Sequence, residues 1–135
     1  MERRFRILIV EDNDTDLMAI KRELHERFDL LVARNVDEAL GLIGQCDVAL
    51  VDLSLPPHTH EETMELLVKP HCNRVHMYIL SRMKGDEEIA AAGESGVAGY
   101  FVKEGAIWET VRHQMICTQA RRSKLGDFSR SLRSA

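Results

Sequence analysis

Apolar residues along this chain fall into two alternating rhythms. Phe5-Arg6-Ile7-Leu8-Ile9-Val10 is a nearly continuous aliphatic run, the pattern of a strand buried on both faces, and it stops at the capping residues Glu11-Asp12-Asn13-Asp14. Leu17, Ile20, Leu24 and Phe28 then recur at three- and four-residue steps between charged residues, which predicts an amphipathic helix. The alternation continues with strands predicted over 29–33, 47–51, 75–80 and 98–102. Helices are predicted over 36–43, 63–68, 86–92 (stopped at Gly93) and from Ala106 to about Ala120. Residues 52–57 read as a loop, because Pro56 and Pro57 cannot donate to a sheet ladder. Strand followed by helix, repeated along the chain, predicts an α/β fold: a five-stranded parallel sheet with helices on both faces.

Length and composition narrow the class. A chain of 135 residues with 44% apolar content holds one domain and one core. Its 30% charged residues and net charge of −4 describe a globular protein rather than a disordered or strongly nucleic-acid-binding one. From Arg112 onward six Lys or Arg face one Asp, so an acidic body carries a basic tail. The expected boundaries are a domain over 4–120 and a basic, flexible tail over 121–135. Cys46, Cys72 and Cys117 form no C-x-x-C pair and read as reduced thiols. No apolar run approaches the roughly 20 residues that cross a bilayer, and no signal-peptide core follows the charged start, so the expectation is a cytoplasmic protein without membrane contact. The basic tail holds no helix-turn-helix, which argues against direct nucleic-acid binding.

Candidate chemistry follows from where polar residues interrupt the pattern. In an open parallel sheet, ligands bind beyond the carboxyl ends of the strands. Glu11 and Asp12 follow the first predicted strand, Asp52 the third, Ser81 the fourth and Lys103 the fifth. Carboxylates gathered at one rim raise one another's pKa unless a cation intervenes. Hard oxygen ligands with room for water suit Mg²⁺, which commonly takes one or two carboxylates plus a phosphate. With Lys103 supplying charge and Ser81 a hydrogen bond, the set fits a phosphoryl-transfer centre in which a carboxylate is the nucleophile. The histidines and cysteine at 58, 60, 71, 72 and 76 follow no zinc spacing and read as dispersed surface groups, while Trp108 and Met115 read as packing.

Four segments together resemble the receiver domain of bacterial two-component response regulators: Ile7-Leu8-Ile9-Val10-Glu11-Asp12-Asn13, Val51-Asp52-Leu53-Ser54-Leu55-Pro56, Ile79-Leu80-Ser81 and Gly99-Tyr100-Phe101-Val102-Lys103. The resemblance covers about residues 4–120. It implies a flavodoxin-like fold with strand order 2-1-3-4-5 and a phosphorelay role in signal transduction. Asp52 would accept a phosphoryl group from a sensor histidine kinase or histidine phosphotransfer protein. Mg²⁺ would be held by Glu11, Asp12, Asp52 and the Ser54 backbone carbonyl. Lys103 and Ser81 would contact phosphoryl oxygens, and Tyr100 would act with Ser81 as the switch. Downstream partner binding or self-association would use the fourth helix, fifth strand and fifth helix. Two departures stand out. Glu104 occupies the place of the family's usual proline after the lysine, and residues 57–62 make a long, glycine-free approach to the third helix.

Other functions fit less well. A phosphorylation-independent adaptor would have no need of Glu11, Asp12, Asp52, Ser81 and Lys103 together. An aspartate-nucleophile phosphatase usually carries a second Asp two residues after the first, where this chain has Ser54. The expectation is therefore a phosphoacceptor, not an enzyme beyond phosphoryl acceptance and slow self-dephosphorylation, either free-standing or the receiver part of a larger regulator.

Overall fold

The computed structural model describes the backbone of residues 4–134 and the side chains of residues 4–122. Strands β1 (Arg6–Val10), β2 (Asp29–Ala33), β3 (Val48–Asp52), β4 (His76–Ser81) and β5 (Gly99–Val102) alternate with helices α1 (Asp14–Leu24), α2 (Val36–Leu42), α3 (His60–Thr63), α4 (Asp86–Glu94) and α5 (Ile107–Ser134). The strands form one parallel sheet in the order β2-β1-β3-β4-β5, as the resemblance implies.

Period-two alternation sorts the central strands between two cores. Ile7, Ile9, Val48, Leu50, Tyr78 and Leu80 face one side, where Leu17, Ile20 and Leu24 of α1 and Val111 and Met115 of α5 cover them. Leu8, Val10, Ala49, Val51, Met77 and Ile79 face the other, under Val36 and Ala39 of α2 and Ala92 of α4. The α1 face matches the predicted stripe at Leu17, Ile20 and Leu24, while Phe28, predicted on the same helix, is buried in the turn between α1 and β2. Trp108 packs against the same cluster. Inside it, Tyr78 Oη and Thr118 Oγ1 lie 2.7 Å apart and Gln114 Nε2 donates to Tyr78 Oη at 3.3 Å, so the buried phenol is satisfied and α5 is tied to β4. The Tyr78 ring stacks on Phe101 and runs so close to Gly99 that any Cβ there would sit 2.9 Å from it.

Three other element ends differ from the sequence reading. The stretch 57–62 is not all loop: α3 begins at His60, because Thr59 and Glu62 form a reciprocal capping box, with Thr59 N–H donating to Glu62 Oε1 and Glu62 N–H to Thr59 Oγ1, both at 3.0 Å. A π-helical turn, Met64–Val68, continues it. Helix α4 runs through Gly93 and ends at Glu94, capped by Ser95 and followed by Gly96 at φ 92°, a left-handed conformation in which glycine carries no Cβ penalty. The backbone of α5 extends to Ser134, beyond the Ala120 at which the sequence reading ends it. Arg122 anchors the helix to the amino end of β3 by donating to the Asp47 carbonyl at 2.8 Å. The expectation of a flexible tail falls mostly on side chains outside the described residues. No helix among the described residues is long and apolar enough to cross a membrane.

Candidate functional site

The carboxyl ends of β1, β3, β4 and β5 converge, and each delivers a polar residue. Glu11 directly follows β1 and is fully buried, while Asp12 beside it is exposed. Asp52 is the last residue of β3 rather than the first of the loop, and it is 4% exposed. Ser81 closes β4 and is buried, and Lys103 follows β5, its backbone N–H donating to the Ser81 carbonyl at 2.8 Å. Register explains the convergence, because Asp52 pairs with Leu80 and Ser81 with Val102.

Lys103 is the hub. Its Nζ donates to Glu11 Oε2 at 2.9 Å, Asp52 Oδ2 at 3.0 Å and Asp16 Oδ2 at 3.0 Å, so all three ammonium protons have carboxylate partners. The lysine side chain is 5% exposed. The cis peptide of the described chain is Pro56–Pro57; Lys103–Glu104 is trans, and the lysine reaches the site with glutamate after it. Glu104 itself points outward and pairs with Lys84 at 2.6 Å.

Burial pushes the Glu11 carboxyl up to about 7; the hydrogen bond from Lys103 offsets part of this, and the charge of Asp52 adds to it. Burial alone would lower the Lys103 ammonium, but hydrogen bonds to Glu11 and Asp52, with their charges, outweigh it and hold it above its ordinary value. The cation that the crowded carboxylates require is thus supplied in part by the chain itself.

Three carboxylates remain disposed for a divalent cation. Glu11, Asp12 and Asp52 each place an oxygen within 4.8 Å of the others, and the donor set is all hard oxygen. Ser54 lies beside them, its N–H donating to Asp52 Oδ1 at 2.9 Å. Asp12 is the exposed member, so Asp12→Ala should leave the fold intact while weakening the binding of a divalent cation such as Mg²⁺ about tenfold or more, equivalent to about 1.4 kcal/mol. Titration calorimetry on both proteins checks this; equal affinities would place the cation elsewhere.

Ser81 and Tyr100, the pair that the resemblance implies as a switch, share a neighbour. Ser81 Oγ accepts from Met83 N–H at 3.0 Å, and Tyr100 Oη donates to the Met83 carbonyl at 2.7 Å. Sequence reasoning missed Met83, and also Asp16 and Arg82. Asp16 stands four residues after Asp12 in the first turn of α1, a spacing that places it toward the same rim, and Arg82 directly follows Ser81.

No protein-family model and no curated protein sequence matches the chain. Solved structures do. The signal receiver domain of a putative LuxO repressor protein from Vibrio parahaemolyticus is 17% identical with a TM-score of 0.77, over 94% of this chain and 98% of that one. The fold is that of a response-regulator receiver domain. The response regulator DrrB of Thermotoga maritima, an OmpR/PhoB homolog, is 18% identical with a TM-score of 0.76, over 89% of this chain. This chain spans only 54% of DrrB. The Mn²⁺-bound form of response regulator Rcp1 is 22% identical with a TM-score of 0.67, over 81% of this chain and 90% of that one.

Proposed function

We propose that the chain is a response-regulator receiver that accepts a phosphoryl group on Asp52 from the phosphohistidine of a sensor kinase or phosphotransfer protein. The reading rests on one observation above the rest: a buried lysine bonded to Glu11 and Asp52 at the carboxyl ends of the central strands. A carboxylate oxygen of Asp52 attacks phosphorus, the phosphorus–nitrogen bond of the donor breaks, and an acyl phosphate forms as imidazole departs with a proton. Lys103 balances charge on the phosphoryl oxygens, and the Ser81 hydroxyl donates to one of them. Glu11, Asp12, Asp52 and the Ser54 carbonyl would hold Mg²⁺, which supplies further positive charge at those oxygens when bound. The chain itself is a phosphoacceptor with slow self-dephosphorylation rather than a turnover enzyme, and α4, β5 and α5 form the face that partners or a second copy read, in the cytoplasm.

The test is incubation with Mg²⁺ and acetyl phosphate, borohydride trapping and mapping by mass spectrometry. Label is expected on Asp52 and lost in Asp52→Asn. Label on another residue, or undiminished label in the variant, would overturn the reading.

A further inference from the structure

Asp16 lies outside the set of carboxylates placed to share a cation, yet it makes one of the three bonds to Lys103. Its position is fixed twice. The Asp16 backbone N–H donates to the side chain of Asn13, the α1 N-cap, at 2.9 Å, so the residue rides on the rigid first turn of a helix packed on the sheet. Its Oδ2, the atom that accepts from Lys103, also faces Arg82 at 3.4 Å from the loop after β4. The Asp16 side chain is only 14% exposed, whereas Arg82 is 70% exposed and holds it from the solvent side.

The competition for Lys103 decides what Asp16 does. In the state described here the ammonium is shared among Glu11, Asp52 and Asp16. Once a phosphoryl group is on Asp52 and a divalent cation is held by Glu11, Asp12 and Asp52, two of those three acceptors are committed elsewhere. Asp16 alone keeps its lone pairs for the lysine. Without Asp16 the ammonium would be held by the phosphoryl oxygens alone, from one side, and free to turn on its four-carbon stem toward water.

Building on the proposed phosphoacceptor role, we propose that Asp16 is a positioning residue: it keeps one proton of Lys103 while the other two turn to the phosphoryl oxygens, so that the lysine stays aimed at Asp52 throughout transfer. The helix-borne carboxylate thereby fixes the lysine from the α1 side.

The experiment measures the rate of Asp52 labelling by acetyl phosphate in Mg²⁺, across donor concentrations, for wild type, Asp16→Asn, Asp16→Glu, Lys103→Met and the double variant Asp16→Asn/Lys103→Met. Asp16→Asn is expected to lower the maximal rate roughly tenfold, the size of one charge-assisted hydrogen bond, with the half-saturating donor concentration unchanged. Asp16→Glu should recover part of the loss. In the Lys103→Met background the Asp16 change should cost nothing further, because its effect passes through the lysine. A second readout needs no turnover: with beryllofluoride bound as the phosphoryl mimic, Lys103 should be acylated by an amine reagent faster in Asp16→Asn than in wild type. Wild-type labelling rates in Asp16→Asn, or losses from the two substitutions that multiply, would overturn the role. Absence of label on wild-type Asp52 would overturn the proposed function and this role together, so the two failures are told apart.

Discussion

Replacing Lys103 with Met is expected to destabilise the metal-free protein by about 3–5 kcal/mol near pH 8, and by clearly less near pH 5. Methionine keeps most of the apolar stem, so the change isolates the charge. Without the ammonium, Glu11, Asp16 and Asp52 face one another in a pocket where their side chains are 0%, 14% and 6% exposed. Glu11, already raised by burial, would lose the lysine hydrogen bond that offsets part of that rise. A carboxyl whose folded pKa exceeds its unfolded value binds more protons in the folded state. Its contribution to stability is therefore full below the unfolded pKa and is lost as pH rises through the folded one. Glu11 already shows this sign, with a carboxyl at about 7 against 4.5, so even the wild type should lose metal-free stability between those values on its account. Lys103→Met widens the window and deepens the loss. Urea unfolding in a chelator at both pH values checks this, and Mg²⁺ should narrow the deficit near pH 8 by supplying the missing charge. A deficit independent of pH would mean that packing, not charge, is what Lys103 contributes.

Legibility in the sequence varied with the range of the interaction. The strands could be read because β1, β3 and β4 are buried on both faces and so must be apolar throughout; the interior of each, Ile7 to Val10, Val48 to Val51 and Met77 to Leu80, is an unbroken run. Parallel order and strand-end chemistry then bring Glu11, Asp52, Ser81 and Lys103 to one rim on the sequence alone. Element ends were harder. The start of α3 was hidden by the expectation that two prolines open a long loop, although Thr59 and Glu62 carry the capping-box spacing. Gly93 read as a helix stop, but nothing lies within 4 Å of its Cβ position and α4 simply passes through it. Asp16 and Met83 were out of reach for a different reason. Asp16 is one of several acidic residues around a helix start, and its bond to Lys103 spans 87 positions. Met83 contributes only backbone atoms, which no side-chain pattern reveals.

The Met83 backbone gives the last prediction its physical form. Its N–H is held by Ser81 and its carbonyl by Tyr100, so one peptide segment joins the floor of the proposed phosphoryl site to the outer edge of β5. A phosphoryl oxygen on Asp52 competes for the Ser81 hydroxyl, and rotation of that hydroxyl toward it withdraws the acceptor from Met83 N–H. The loop then has reason to move, and with it the carbonyl that holds Tyr100 in its present half-buried position. Phosphorylation can bias such a two-state element only through its different interactions with the two states, and couplings of this kind amount to about 1–3 kcal/mol, or roughly 5- to 150-fold in an equilibrium. Wild type should therefore lose amide-exchange protection at Met83 when Asp52 carries beryllofluoride or phosphoryl, and its self-association or partner affinity should change by a factor in that range. Ser81→Ala should expose the Met83 amide in both states and shrink the change toward unity, while Asp52 is still labelled. Tyr100→Ala should leave the amide response at Met83 in place yet remove the downstream change, since it cuts the path one bond later. Amide exchange followed by NMR and sedimentation at several protein concentrations measure the two ends separately. Met83 protected equally before and after modification, or both variants retaining the full wild-type change in association, would show that the signal leaves Asp52 by another route.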